Sequence, residues 1–296
     1  MPELPEVETI ARGLDKRVRG DVIDSIWLGS KPEPLKSPAA EIARTVERRR
    51  IAGVRRIGKH IVIDLERVER QARHTKTRLV SKGGSSAKKA ARPEQNSRAQ
   101  WIVHLGMTGR MLVCSPDDEI EKHTHAVARL ESGRELRFVD PRRFGRLSVA
   151  SAADFQAAGD EPLLVELEKF VELFRGRKTP IKSALLNQSL LSGVGNIYAD
   201  EALFRSGIRP RRRAASLTQE QLRKLYLAVQ EVLKEAIALG GSSVSDYVDA
   251  DGEEGFFQLQ HRVYGREGEP CLVCKTPVKR VVIGGRSSHY CPKCQK

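Results

Sequence analysis

Cys271-Leu-Val-Cys274 and Cys291-Pro-Lys-Cys294 are separated by 16 residues. Two Cys-x-x-Cys knuckles at this spacing can present four thiolates to one tetrahedral zinc ion with no open position, so that metal would be structural. The other pairing is two disulfides, which a chain opening without a secretion signal disfavours. Cys114 is left over and reads as a buried core residue. At the other end, Pro2 follows Met1, and removal of the methionine would expose a secondary amine whose pKa lies not far above neutrality. Glu3 adjoins it, and Glu6 lies one turn on. A partly neutral amine beside a carboxylate is suited to attack a sugar C1′ while a proton reaches the departing group. The same residues are also what a frayed helix start looks like.

Elements must position these groups. Residues 5–14 place Val7, Ile10, Ala11 and Leu14 at helical spacing, with Glu6 and Glu8 in the first turn. From residue 20 to about 150 the pattern becomes short β-rich runs: 22–28, 60–65, 100–105, 111–114, 126–130, 135–139 and 145–149. Strands at this spacing predict a sandwich or a barrel. Over 152–240 the period is helical, with breaks at Gly176 and Gly193/Gly195 and a stop at Gly240-Gly241. Val281 to Gly285 reads as one arm of a β-hairpin with a glycine turn. An α+β chain in three parts follows: 1–150, 151–260 and 261–296.

Charge sharpens the picture. The 296 residues hold 52 Lys+Arg against 38 Asp+Glu, a formal +14. The whole excess sits in two stretches, +8 over 67–100 and +6 over 261–296. No apolar run approaches the roughly 20 residues that span a bilayer, and the acidic start is no signal peptide. Membrane spanning and classical secretion are excluded, and a polyanionic partner is expected. Residues 67–100 contain no Phe, Trp or Tyr and are rich in Ser, Gly and Lys. They read as a disordered basic insert between two strands, either merely solvated or a tethering arm.

Joint motifs now carry a resemblance along nearly the whole chain. They are Pro2-Glu3-Leu4-Pro5-Glu6-Val7-Glu8-Thr9, Gly58-Lys59, His104-Leu-Gly-Met107-Thr-Gly109, Lys122-His123-Thr-His125 and Asp140-Pro-Arg142-Arg143-Phe144-Gly145. They continue through Ile181-Lys182, Gly193-Val-Gly-Asn196-Ile-Tyr-Ala-Asp-Glu201, Gly240-Gly-Ser-Ser, Asp246 to Gly252, Val263 to Gly268 and the four cysteines. In this order they resemble formamidopyrimidine-DNA glycosylases. The resemblance implies an N-terminal β-sandwich domain and a helix–two-turns–helix domain, the latter carrying a base-covering loop at 241–258. A C-terminal zinc-finger hairpin holding one structural zinc completes the fold.

The implied activity is a base-excision enzyme that removes oxidised purines (8-oxoguanine, formamidopyrimidines) from duplex DNA and cleaves the strand at the abasic site. By similarity, Pro2 would form a Schiff base at C1′ and Glu3 would be the general acid/base. Lys59 would assist β-elimination and Arg286 δ-elimination. Met107, Arg142 and Phe144 match the residues that fill the void left by a flipped base. His123, Arg142, Lys178, Lys182 and Asn196 match DNA contacts. Without the resemblance, Met107 and Phe144 would read as core, and His123 and His125 as solvated or structural. A monomer in the bacterial cytoplasm is expected. Alternatives are an endonuclease VIII-like enzyme for oxidised pyrimidines, or a non-catalytic damage-binding protein of the same fold. The basic insert departs from the family pattern, as does His60, which stands where an aromatic such as Tyr is expected.

Overall fold

Pro5 lies in the first turn of a helix, where its missing N–H costs nothing, and apolar residues follow on one face to form α1, Leu4–Val18. The computed structural model describes residues 2–68, 98–151, 154–243, 250 and 255–296. Eight antiparallel strands follow α1: β1 Val22–Leu28, β2 Arg49–Ile57, β3 His60–Arg67, β4 Arg98–His104, β5 Arg110–Cys114, β6 Thr124–Leu130, β7 Glu135–Val139 and β8 Arg146–Ala150. Their order is β5-β7-β6-β1-β2-β3-β4-β8.

The ladder is weakest at its middle. β1 and β2 share only the pairs Val22↔Arg50 and Ile23↔Arg49, and both strands carry an irregularity just beyond them. The sheet therefore folds over at this corner into two four-stranded layers around one core. Ile61, Ile63, Trp101 and Val103 meet Ala126, Ala128, Leu136 and Phe138 there. α1 touches β2, β3 and β5, whereas α2, Ala39–Val46, touches β1, β4 and β8. Each helix thus bridges both layers. The outcome is the sandwich rather than the barrel.

Two elements escape sequence reading. β2 carries Arg49, Arg50, Arg55 and Arg56 and bulges at Gly53, so its alternation is hidden. α2 is eight residues long and begins just after Pro38. The ends of the basic stretch also differ from expectation. Arg67 closes β3, and Arg98 pairs with Glu66, so strand intrudes on both sides. Residues 69–97, and with them most of the expected disordered insert, lie outside the described residues.

The helical part comprises α3 Leu167–Phe174, α4 Ile181–Leu185, α5 Asn196–Arg205 and α6 Gln219–Ala238. Thr218 and Gln221 form a capping box that starts α6. Phe170, Phe174, Tyr198, Leu225, Val229 and Leu233 build its core, joined by Leu4 of α1. The helix that begins the chain is thus shared: Leu4 is buried among helices, while Val7, Ile10 and Leu14 are buried against the sheets. Arg56 reinforces the junction. Its guanidinium, almost wholly buried, grips Glu161 at 2.8 and 2.9 Å and Glu8 at 2.8 Å, and donates to the Gly58 carbonyl. Last come β9 Lys279–Ile283 and β10 Arg286–Tyr290, with Gly284 and Gly285 both at positive φ in the turn. This is the hairpin expected from the sequence. No helix among the described residues is long and apolar enough to cross a membrane.

Candidate active site

The chain start is pinned by backbone before any side chain acts. Leu4 N–H donates to the Gly193 carbonyl at 3.1 Å, and Glu3 N–H donates to Glu6 Oε2 at 2.8 Å. Pro2 is buried, and Glu3 is 5% exposed. Glu3 Oε1 accepts from Ile197 N–H in the first turn of α5 at 3.4 Å, while Oε2 has no hydrogen-bond partner among the described residues. Burial pushes the Glu3 carboxyl up to about 7; the Lys59 ammonium opposes this and the Glu6 carboxylate adds to it. An acid so tuned holds its proton near neutrality.

Gly195 makes this position possible. A Cβ there would lie 2.0 Å from the Glu3 carboxyl carbon. Gly58 does the same for Lys59: it turns β2 into β3 at φ +58°, and a Cβ would meet Ser192 Oγ at 2.1 Å. Lys59 is 8% exposed. Burial lowers its pKa, partly offset by Glu3 and Glu6, while Arg286 pushes the same way as burial. Pro2, Glu3, Lys59, Met107, Asn196 and Arg286 line one cleft of about 530 Å³. Residues drawn from the two ends and the middle of the chain meet there.

Sequence reading missed the supports of this cleft. Glu6 accepts from the Tyr198 hydroxyl and from Ser242 N–H, the latter at 2.8 Å, and burial raises its pKa. Glu201, fully buried, accepts the N–H groups of Arg262, Val263 and Tyr264 at 2.9–3.0 Å and so sets Tyr264 at the cleft wall. Both acids stand inside the family motifs, but a carboxylate that gathers donors far along the chain has no sequence pattern of its own. Of the expected covering loop 241–258, residues 244–249 and 251–254 lie outside the described residues. Its ends meet in a bridge between Ser242 and Phe256.

Met107 and Phe144 are 41% and 48% exposed, so neither is a core residue. The Arg142 guanidinium stands 4.9 Å over the Phe144 ring. Asp140, wholly buried, holds the two loops together. It accepts from the Thr108 hydroxyl and Gly145 N–H at 2.7 Å, and its N–H donates to the His123 carbonyl. His125 reaches the Asp140 carbonyl at 3.0 Å and is structural, whereas His123 and Lys178 are exposed.

Lys182 corrects the sequence expectation of a DNA contact. Its side chain is 0% exposed and ion-paired with Asp200 at 2.6 Å. A phosphate has no surface to touch there. Buried lysines look like surface lysines in a sequence, because the partner that makes burial tolerable is distant.

The four cysteine thiols lie within 4.8 Å of one another and form no disulfide. Sγ atoms pair at 3.9 Å (Cys271, Cys294) and 3.4 Å (Cys274, Cys291), and the Cys294 N–H points at Cys291 Sγ. Such a donor set fits one zinc ion in a closed, structural site. Around it, among the described residues, Val263, Val278 and Phe204 are the further core of this cluster. Zinc removal should therefore unfold residues 261–296 while the two larger cores persist. Metal analysis should find one zinc per chain, and hydrogen exchange after chelation should rise over β9 and β10. An unchanged exchange pattern would contradict the assignment. Cys114 is free and half-buried, its thiol pushed up in pKa by burial.

Comparison with known proteins gives consistent matches over the chain. The formamidopyrimidine-DNA glycosylase N-terminal domain matches residues 1–147 and the H2TH domain of the same enzymes residues 159–248. A zinc finger found in FPG and IleRS matches residues 268–296. A formamidopyrimidine-DNA glycosylase of Solibacter usitatus is 43% identical over 304 residues, spanning 100% of both chains. The crystal structure of the MutM (Fpg) protein of Thermus thermophilus is 40% identical, with a TM-score of 0.80 over 99% of this chain and 98% of that one. A point mutant of Lactococcus lactis Fpg in complex with Fapy-dG-containing DNA is 29% identical, with a TM-score of 0.82 over the full length of both.

Proposed function

The chain belongs to the formamidopyrimidine-DNA glycosylase family, and from that premise we propose that it excises oxidised purines from duplex DNA and then cleaves the strand. The observation that carries this reading is the cleft in which Pro2, Glu3 and Lys59 converge, with Glu3 held at about 7. Complexes of relatives with DNA containing Fapy-dG, carbocyclic 8-oxo-G or an abasic site support the substrate class.

With Met1 removed, the Pro2 nitrogen attacks C1′. The C1′–base bond breaks, its electron pair leaves with the base, and Glu3 supplies the proton for base departure and sugar-ring opening. The amine proton lost by Pro2 reloads the Glu3 carboxylate after the base has taken its first proton. This second proton goes to O4′ as the C1′–O4′ bond breaks and the nitrogen lone pair forms the C1′=N bond. The iminium so formed acidifies C2′–H. Loss of that proton makes a C2′=C3′ double bond and expels the 3′ phosphate, with the Lys59 ammonium beside it. A second proton loss expels the 5′ phosphate, and Arg286 is the cation placed for this δ step. Met107, Arg142 and Phe144, mounted on the Asp140-braced loops, enter the void left by the flipped base. Asn196, His123 and Lys178 contact the strand. The four cysteines would hold a zinc ion that fixes the fold of the hairpin carrying Arg286.

Borohydride trapping tests the reading. Protein with a native Pro2 terminus should form a covalent adduct with DNA carrying 8-oxoguanine opposite cytosine, faster than with thymine glycol. Absence of any adduct leaves only a damage-binding protein, and preference for thymine glycol makes the enzyme endonuclease VIII-like. Base excision should follow a bell in pH. It falls on the alkaline side as Glu3 loses its proton and on the acid side as the Pro2 amine protonates.

A further inference from the structure

The side chains of Lys182 in α4 and Asp200 in α5 have no exposed surface. Lys182 Nζ lies 2.6 Å from Asp200 Oδ1 and donates to the Ser287 carbonyl at 2.6 Å. Asp200 Oδ2 accepts from His289 N–H at 2.8 Å and faces His289 Nδ1 at 3.2 Å. Among the described residues the β9–β10 hairpin pairs in a sheet only with itself. These contacts therefore fasten β10 to two helices at residues 287 and 289, immediately after Arg286, which lines the cleft. Gly284 at the hairpin tip rests on Ser183, next to Lys182, whose Oγ would stand 3.2 Å from an added Cβ.

A buried ion pair is a poor source of stability, because apolar groups of the same volume often serve as well. What it supplies is direction, since an ammonium and a carboxylate bond only to groups at fixed points. We propose that Lys182 and Asp200 are positioning residues that set the height of Arg286 over the cleft and so govern the δ-elimination step. The proposal deepens the reading of Arg286 above and rests on it.

A test uses full-length, zinc-loaded protein and a duplex with a preformed abasic site. Lys182→Met alone strands a buried carboxylate, so the decisive variant is the double Lys182→Met/Asp200→Asn, which leaves no unpaired charge. It should keep one zinc and trap with borohydride within about twofold of the parent, while its share of δ product falls at least about fivefold. Adding Arg286→Ala should lower that share no further, since the residues act as one unit. An unchanged δ share overturns the proposal. So does a δ share that falls only in step with trapping, because the pair would then be supporting the whole cleft. A parent protein that stops at the β product defeats the reading of Arg286 itself, an outcome visible before any variant is made.

Discussion

Glu3→Gln is expected to lose base excision by on the order of 10³-fold and yet to melt higher than the parent protein at pH 8. The two results share one cause. The carboxyl is buried against α5 with one oxygen unpartnered among the described residues, and its pKa rises from 4.5 to about 7. The folded state therefore holds a proton that the unfolded chain releases. The stability this confers is fully present below pH 4.5 and is lost as pH rises through about 7. By pH 8 the buried charge costs roughly 3 kcal/mol, since every tenfold change in proton affinity is worth about 1.4 kcal/mol. A neutral glutamine escapes that cost, which is the usual relation between a catalytic group and the fold that tolerates it. Melting curves at pH 8 and pH 4.5, with single-turnover excision, check it. The melting advantage should be present at pH 8 and gone at pH 4.5. A variant less stable than the parent at both values would refute the account.

Gly195→Ala is the second large effect. The backbone at 195 has φ −129° and ψ −165°, which alanine adopts freely, so strain plays no part. The added Cβ would instead lie 2.0 Å from the Glu3 carboxyl carbon and 2.3 and 2.4 Å from its oxygens. Restoring contact distance moves the acid or the start of α5 by more than an ångström, and a misplacement of about that size costs on the order of 10² in rate. Excision of a damaged base should fall by that factor. Trapping at a preformed abasic site should fall much less, because no base remains to be protonated. Excision within threefold of the parent would show that the acid is not held where it must be.

How much of this is legible in the sequence follows from which interactions are local. The face of α1, the runs that form β1 and β7, the glycine-turned hairpin and the cysteine quartet each announce themselves within a few residues. β2 does not, because its arginines point outward or, in the case of Arg56, inward to acids 48 and 105 residues away. Lys182 misleads for the same reason. Its type suggests a surface cation, and only Asp200 and the Ser287 carbonyl, which folding brings to it, make burial tolerable. Pro2, Glu3 and Lys59 are readable as a set through the family motifs, but the anchors that tune them are not. Glu6 and Glu201 act by collecting donors far along the chain, and Asp140 joins the distant Thr108 hydroxyl to backbone N–H groups of its own loop.

The sharing of the first helix between two cores has a consequence in time. Synthesis delivers Pro2 and Glu3 first, yet Glu3 meets Ile197 across 194 positions and Glu6 meets Ser242 across 236. At cellular elongation rates, tens of seconds separate the birth of the proposed nucleophile from that of its last supports. Throughout that interval the nascent chain carries a reactive amine with no tuned acid beside it and no Arg286. On the roles proposed above, the site is complete only when its C-terminal residues arrive, and strand cleavage would wait on the ribosome finishing its work.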